Sequence, residues 1–209
     1  MNITILGAGN MGGALTKQLS LAGHSVRVIG RDLKKSRDLA SRHRGVVAAS
    51  PDEGVADSEV VIVATGYEDA VPALRSLGSL AGKVVIDITN PLTQDFTALS
   101  VGHHTSAAEE IAKALPGAEV VKAFNTLFAQ VLSDGPSFAG AQIAPAFFAS
   151  DSERARQTAK TLIESIGFKA IDAGGLRNAR YLEPLAGLNI YFGYGAGLGT
   201  AIAPTWINR

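Results

Sequence analysis

The chain begins MNITILGAGNMG (residues 1–12), and this stretch decides the fold. The apolar, β-branched residues 3–6 predict a buried strand, and they lead directly into a Gly-x-Gly-x-x-Gly pattern. A helical pattern follows, with Leu15, Leu19 and Ala22 on one face. A strand, a tight glycine turn and a helix N-terminus in this order predict the first unit of a dinucleotide-binding fold.

Each glycine of the pattern has its own physical role. Gly7 permits a turn that a Cβ atom would obstruct, Gly9 lets the backbone approach a pyrophosphate, and Gly12 lets the helix pack closely on the strand. Free N–H groups and the positive end of the helix dipole then face the phosphates. The chain has 23 glycines, so the prediction depends on the place of the pattern between a strand and a helix. The alternative is a glycine-rich turn without a ligand.

Composition narrows the function classes. The chain has 209 residues, of which 46% are hydrophobic, and this fits one domain with a large core. A net charge of zero gives no indication of a nucleic-acid partner. The chain has no cysteine, which excludes disulfides, thiolate catalysis and zinc–thiolate sites. Residues His103 and His104 lack an acidic cluster, so we expect no metal site. No secretion signal is present at the N-terminus, so we expect a cytoplasmic location.

The end of the second predicted strand, residues 25–29, indicates which dinucleotide binds. An acidic residue at this position would hold the ribose 2′-hydroxyl of NAD, whereas arginine favours the 2′-phosphate of NADP. Here the strand is followed by Gly30 and Arg31, with Lys34 and Lys35 one turn later. Asp32 could bind the ribose, but we interpret it as the N-cap of the next helix. The pattern favours NADP(H).

Three later predicted strands, residues 60–64, 83–87 and 119–123, are followed by small or polar residues. Open α/β sheets bind ligands at this end of their strands. The residues that follow the three strands are Thr65-Gly66-Tyr67, Asn90-Pro91 and Asn125-Thr126. We expect the first group to leave room for the cofactor and the last to hydrogen-bond a nicotinamide carboxamide or ribose. Plain turns are the alternative for the two Asn-containing pairs.

Regular alternation of strands and helices predicts a doubly wound, mostly parallel sheet, the NAD(P)-binding Rossmann fold. Residues 1–175 form this domain, with Ser-x-x-Glu capping boxes at Ser50, Ser106 and Ser150 that predict helix starts. Residues 176–209 form a C-terminal helix and tail in the same domain. Residues 184–208 carry no charge, yet their glycines and prolines argue against the alternative of a membrane span. We expect this tail to cover the cleft or a subunit interface in a homodimer.

These motifs resemble the family of NADP oxidoreductases that depend on the deazaflavin coenzyme F-420, and the cytosolic part of six-transmembrane ferric reductases. The resemblance covers nearly the whole chain. It is carried by residues 7–12, 30–31 with Lys35, 87–91, 122–126 and 174–180.

The resemblance implies roles for individual residues. Residues matching Ala8, Gly9, Asn10 and Met11 hold the pyrophosphate in that family. The 2′-phosphate is held by residues matching Gly30, Arg31 and Lys35, and the nicotinamide half is lined by those near Tyr67, Val71, Leu92 and Ala129. Two departures stand out: Gly30 replaces a serine that often contacts the phosphate, and residues 191–209 do not map onto the F-420 site.

The leading functional hypothesis is hydride transfer between NADP(H) and a small, flat redox acceptor, either a deazaflavin (coenzyme F-420) or a flavin. Such a transfer needs no nucleophile and no strong acid, and we identify no catalytic residue. One alternative is reduction of a small carbonyl or imine, with Tyr67, His103, His104 or Lys122 as proton donor. Another is a non-catalytic NADP-binding sensor module.

Overall fold

Ten strands and seven helices account for the regular structure of the described residues, 1–53 and 55–207, in a computed structural model. The strands are β1 (Asn2–Leu6), β2 (Ser25–Ile29), β3 (Val46–Ala48), β4 (Val60–Val63), β5 (Val84–Asp87), β6 (Glu119–Ala123), β7 (Ser137–Phe138), β8 (Gln142–Ile143), β9 (Pro145–Ala149) and β10 (Lys169–Asp172). The helices are α1 (Asn10–Leu21), α2 (Leu33–Ala40), α3 (Tyr67–Arg75), α4 (Ala107–Ala114), α5 (Ala129–Asp134), α6 (Glu153–Ser165) and α7 (Ala179–Ile190).

The main sheet has the strand order β10-β9-β6-β5-β4-β1-β2-β3. Strands β1 to β6 pair in parallel, so the polypeptide crosses the sheet between them and their carboxyl ends share one edge. The predicted doubly wound, mostly parallel Rossmann sheet is therefore confirmed. Strands β9 and β10 are parallel to each other, but β9 pairs with β6 in the antiparallel sense. The β7–β8 hairpin and α5 lie between β6 and β9 in the chain.

The core lies on both faces of the sheet. All four residues of β4 are fully buried, which explains their uninterrupted apolar sequence. On one face, Ile62 belongs to a cluster with Leu15 and Leu19 of α1 and with residues of α5 and α6. On the other face, Val61 and Val63 belong to a cluster that includes buried residues of α3 and α4. The two layers fix the strand ends that form the site.

Two of the three predicted capping boxes differ from the structure. Residues 51–53 form only a 3-10 turn, in which Glu53 accepts a hydrogen bond from the Ser50 N–H at 3.3 Å. Helix α6 is capped by Ser152, whose hydroxyl accepts from the Ala155 N–H at 3.1 Å, rather than by Ser150. The Ser150 hydroxyl donates to the Val120 carbonyl at 2.6 Å and accepts from the Ser152 N–H at 3.1 Å. At Ser106, the side chain does accept from the Glu109 N–H at 3.2 Å.

The C-terminal tail continues from α7 through a π-type turn at Tyr191–Gly195 and returns to the domain. Tyr194 packs edge-on against Phe128 at 5.7 Å, and Trp206 packs edge-on against Phe147 of β9 at 5.1 Å. Residues 208 and 209 lie outside the described part. No helix in the described ranges has the length and apolar character needed to cross a membrane.

Candidate functional site

The glycine turn forms as the sequence pattern predicts. Gly7 has a φ of 125°, and a Cβ atom there would lie 2.4 Å from the Ala64 carbonyl oxygen. A Cβ atom on Gly12 would lie 2.0 Å from the Gly7 carbonyl oxygen. By contrast, nothing lies within 4 Å of the Cβ position of Gly9. The turn is therefore tightly packed against the protein at Gly7 and Gly12 and open at Gly9.

The open side of the turn presents unpaired hydrogen-bond donors. Gly9 is the N-cap of α1, and no side chain caps this helix. The N–H groups of the first helical turn therefore lack a side-chain acceptor. They point outward at the positive end of the helix dipole. This arrangement suits an anion such as a pyrophosphate. The Met11 side chain packs against the core, so only its backbone faces this space.

A cleft of about 600 Å³ extends from the glycine turn along the carboxyl ends of β1, β2 and β4. Its walls include Gly7, Ala8, Gly9, Gly30, Arg31, Lys35, Thr65, Gly66, Asp69 and Pro72. The structure thus brings together the residues predicted from the first strand, the second strand end and the Thr65-Gly66 turn.

Arg31 stands at the far end of this cleft. Its side chain is 92% exposed, and its Nη1 atom lies 3.4 Å from Asp69 Oδ2 of α3. Asp32 does not compete for a ribose, because its Oδ1 accepts from the N–H groups of Lys34 at 2.9 Å and Lys35 at 3.2 Å. The predicted N-cap role of Asp32 is confirmed. The exposed guanidinium remains available to an incoming anion.

The absence of a side chain at Gly30 has a local cause. A Cβ atom there would lie 2.8 Å from the Ser36 hydroxyl oxygen. Ser36 is fully buried, and its hydroxyl donates to the Asp32 carbonyl at 3.2 Å. A serine at position 30 would therefore require Ser36 to move.

The ends of β5 and β6 carry a second polar group. Asn90 Nδ2 donates to the Asn125 carbonyl at 2.9 Å, and Asn125 Nδ2 donates to Asn90 Oδ1 at 3.0 Å and to the Leu182 carbonyl at 2.9 Å. Between β6 and Asn125, the fully buried Phe124 has a φ of 59°, which is unfavourable for a residue other than glycine. The strand end is held in a strained conformation.

Three buried oxygen atoms near these strand ends lack a hydrogen-bond partner among the described residues. They are Thr89 Oγ1, Asn125 Oδ1 and Thr126 Oγ1. Buried polar atoms are normally paired, so these unpaired ones mark a place where an ordered water or a ligand supplies the missing hydrogen bond. The chemistry of the whole edge fits a dinucleotide, with anion-binding groups at one end and unpaired amide and hydroxyl oxygens at the other.

A buried charge cluster lies behind the two asparagines. Lys122 Nζ donates to Asp87 Oδ2 at 2.6 Å and to the Thr89 carbonyl at 2.7 Å, and it lies 2.8 Å from Glu183 Oε1. The Glu183 carboxylate also accepts from the N–H groups at 107 and 108, which begin α4. Burial raises the pKa of the Glu183 carboxyl, while Lys122 opposes that rise.

Sequence reasoning considered Lys122 only as a proton donor, and its complete burial and three partners argue against that role. The buried charge cluster of Asp87, Lys122 and Glu183 was not predicted from the sequence. The available signal was a charged residue in each of three apolar stretches, at Asp87, Lys122 and Glu183.

The remaining predicted residues occupy separate places. Tyr67 begins α3 with Val71 one turn later, and burial raises the pKa of the Tyr67 phenol, with Glu110 and Glu183 adding to the rise. Leu92 forms an isolated bridge with Leu99. Ala129 begins α5 and lines a second cavity of about 650 Å³ beside Ala8, Gly9 and Asn10, which the tail residues Tyr194 and Thr200 also line. His103 and His104 are exposed in the loop before α4.

Comparison with known proteins identifies the family of this chain. The family model described as "NADP oxidoreductase coenzyme F420-dependent" matches residues 2–91. The F420-dependent NADP reductase of Methanothermobacter marburgensis is 33% identical over 207 residues, which cover 91% of each chain. The chain belongs to the F420-dependent NADP oxidoreductase family. It is an NADP-dependent oxidoreductase.

Other relatives agree with this family assignment. The metalloreductase STEAP3 of Rattus norvegicus is 32% identical over 184 residues, which cover 88% of this chain but 36% of the relative. The chain thus spans about a third of that protein's length. The crystal structure of a putative F420-dependent NADP reductase from Arthrobacter sp. FB24 superposes with a TM-score of 0.87 at 30% identity and covers 99% of both chains. The family fold therefore extends over the tail.

Proposed function

We propose that this family member transfers hydride between NADP(H) and a small, flat redox acceptor, either the deazaflavin coenzyme F-420 or a flavin. One observation carries the proposal: a single sheet edge combines the uncapped N-terminus of α1, the exposed Arg31 guanidinium, and unpaired oxygens at the ends of β5 and β6. The likeness to F420-dependent NADP reductases over 91% of both chains supports the choice of acceptor.

In this proposal the adenosine half of NADP(H) lies in the 600 Å³ cleft. The backbone of residues 8–11 binds the pyrophosphate, as the first turn of α1 offers free N–H groups. Arg31 and Lys35 bind the 2′-phosphate, with Gly30 leaving room for it. Thr65 and Gly66 form a wall of small residues next to the ribose of the adenosine half.

The nicotinamide half lies at the ends of β5 and β6. The residues assigned to it are Tyr67, Val71, Asn90, Pro91, Leu92, Asn125, Thr126 and Ala129. Asn125 supplies the amide oxygen, which has no protein partner in the described chain.

When bound, NADPH supplies the hydride, and the acceptor takes up that hydride together with one proton from solvent. The protein's task is to hold two ring faces about 3–3.5 Å apart and to exclude water. The buried Asn125 and the partly buried Asn90 and Leu92 suit this task, since they orient a ring without donating a proton. No nucleophile is required.

The experiment mixes the purified protein with NADPH and, separately, with coenzyme F-420, flavin mononucleotide or a ferric chelate, and follows NADPH absorbance. The proposal expects rapid NADPH oxidation with F-420 or the flavin. The ferric chelate reports on the chemistry named for the metalloreductase relative. Binding of NADPH without oxidation by any acceptor would contradict the proposal and would favour a sensor module.

A second candidate is reduction of a small carbonyl or imine. The Tyr67 phenol is protonated at neutral pH, as tyrosine ordinarily is, and it lies at the start of α3 next to Gly66 of the cleft wall. Tyr67→Phe would then abolish turnover of such substrates, whereas F-420 reduction would persist, because phenylalanine keeps the ring assigned to the nicotinamide half. A pH–rate profile that requires a protonated group would support this candidate.

We further propose that the chain forms a homodimer and that the 176–209 segment completes the site within the same domain. Tyr181, Leu188 and Tyr191 are 75%, 49% and 60% exposed, and their spacing gives one apolar stripe along α7. Exposed apolar surface of this kind is typical of interfaces. Light scattering tests this proposal, with a monomer as the contradictory result.

A further inference from the structure

We propose that Lys122 is a positioning residue that orients the Asn125 amide at the ends of β5 and β6, where the proposed function places the nicotinamide half. The inference rests on the proposed function, since it assigns Asn125 to that half. Lys122 itself is fully buried and touches only protein groups.

The Lys122 ammonium uses all three of its hydrogens. It reaches Asp87 Oδ2 at 2.6 Å, the Thr89 carbonyl at 2.7 Å and Glu183 Oε1 at 2.8 Å. These partners belong to β5, to the loop that follows β5, and to α7. The Lys122 side chain of β6 therefore fixes two segments, namely β5 with the loop that follows it, and α7.

Each fixed segment holds Asn125 through the adjacent residue. Thr89 precedes Asn90, whose Oδ1 accepts from Asn125 Nδ2 at 3.0 Å. Glu183 follows Leu182, whose carbonyl accepts from the same Nδ2 at 2.9 Å. The Asn125 nitrogen is thus held from both sides, and its Oδ1 is left as the unpaired atom. Loss of Lys122 would release both sides at once.

Stability alone does not account for the cluster. Replacement of a buried ion pair by apolar residues of similar volume is often neutral or stabilising, because charges are costly to desolvate. Here one ammonium faces two carboxylates, and the Tyr67 phenol of α3 is close enough to interact with Glu183, Asp87 and Lys122, while Glu110 of α4 acts on Tyr67. Arg180 of α7 is engaged with Glu109 instead. The cluster is costly to bury, and it fixes the residues that hold the Asn125 amide. A positioning role explains it better than stability does.

The test compares Lys122→Met with Lys83→Met as a matched control. Lys83 is partly buried, whereas Lys122 is fully buried, and it donates to two carbonyls, Ala56 at 3.1 Å and Ser58 at 2.9 Å, at the opposite end of β5. Calorimetry measures the affinity for NADPH and for adenosine 2′,5′-bisphosphate, which lacks the nicotinamide half.

For Lys122→Met we expect NADPH affinity to fall about 10-fold and kcat about 100-fold, because small misplacements at a hydride-transfer site are costly. Affinity for the bisphosphate should stay within about twofold, since the adenosine end is untouched. Lys83→Met should change neither affinity. Equal losses for both ligands, or no loss for either, would overturn the inference.

Lys122→Met leaves two buried carboxylates without a cation, so a second variant guards against misfolding. Lys122→Met/Glu183→Gln removes one of these charges and should recover much of the lost thermal stability. The selective loss of NADPH affinity should persist, because the Thr89 and Glu183 contacts are still missing. Recovery of NADPH affinity together with stability would show a merely structural role.

The wild-type protein separates this inference from the proposed function. If wild-type protein binds neither ligand, the NADP assignment itself fails. If it binds both and Lys122→Met shows no selective loss, only the positioning role fails.

Discussion

Asn90 and Asn125 hold each other across the ends of two adjacent parallel strands. Asn90 Nδ2 donates to the Asn125 carbonyl at 2.9 Å, and Asn125 Nδ2 returns a hydrogen bond to Asn90 Oδ1 at 3.0 Å. The two side chains therefore act as one unit that joins the loop after β5 to the strained exit of β6.

A double-mutant cycle measures this coupling. We expect Asn90→Ala and Asn125→Ala to be non-additive in urea unfolding, with a coupling free energy of about 0.5–3 kcal/mol, because either substitution removes the hydrogen bond from Asn125 Nδ2 to Asn90 Oδ1 that links the two side chains. Asn189, which donates to the Thr126 carbonyl at 3.0 Å, provides a comparison outside the pair. Additive effects of the two alanine variants would argue against a single unit.

Arg31→Ala tests the choice of cofactor. Removal of the guanidinium deletes charged hydrogen bonds of about 1.5–3 kcal/mol, so NADPH affinity should fall about 10- to 100-fold. Affinity for NADH should barely change, since NADH has no 2′-phosphate. Arg44→Ala, at an exposed arginine that does not line the cleft, is the control. Equal losses for the two cofactors would refute the 2′-phosphate assignment.

Asp69→Asn tests the ion pair at the same end of the cleft. The Asp69 carboxylate lies 3.4 Å from Arg31 and repels an incoming phosphate. Its neutralisation should tighten NADPH binding about two- to fivefold, in the range of an exposed ion pair. Titration with NADPH and NADH measures the effect, and weaker NADPH binding would instead mean that Asp69 is needed to orient Arg31.

The Arg180–Glu109 pair predicts a pH dependence of stability. Arg180 Nε and Nη2 donate to the Glu109 carboxylate at 2.8 and 2.7 Å, and Arg180 is the main cause that lowers the pKa of Glu109. Since the folded-state pKa is lowered, the pair stabilises the fold above the unfolded pKa of about 4.3. That contribution is lost as the pH falls through the lower, folded-state pKa.

Arg180→Met should therefore lower the melting temperature at pH 7, and the difference from wild type should shrink as the solution is acidified. In a Glu109→Gln background the same substitution should show no such pH dependence. A difference that stays constant with pH would contradict the role of the pair.

Local features of the site could be predicted from the sequence. The glycine turn depends on neighbouring residues alone, so the positions of Gly7, Gly9 and Gly12 follow from their spacing. The Asp32 cap and the exposed position of Arg31 are similarly local. The parallel direction of the strands follows from the alternation of strands and helices, which brings the carboxyl ends of β1, β4, β5 and β6 to one edge.

Long-range features could not be predicted in this way. The Lys122–Glu183 contact joins a strand to a helix far along the chain, and no local pattern encodes it. The antiparallel pairing of β9 with β6 depends on the course of the intervening chain. Ser150 was predicted to cap a helix, but Ser152 caps α6 and the Ser150 hydroxyl donates to Val120 of the neighbouring strand, a tertiary contact that the local pattern does not encode.

Direct hydride transfer is the central claim, and an isotope experiment tests it most directly. NADPH carrying deuterium at the transferable C4 position is mixed with the protein and coenzyme F-420, and the reduced deazaflavin is analysed by mass spectrometry. We predict that the carbon-bound deuterium appears in the reduced deazaflavin as NADPH is consumed. Failure to consume NADPH, or release of the deuterium into water, would contradict direct transfer between the two rings.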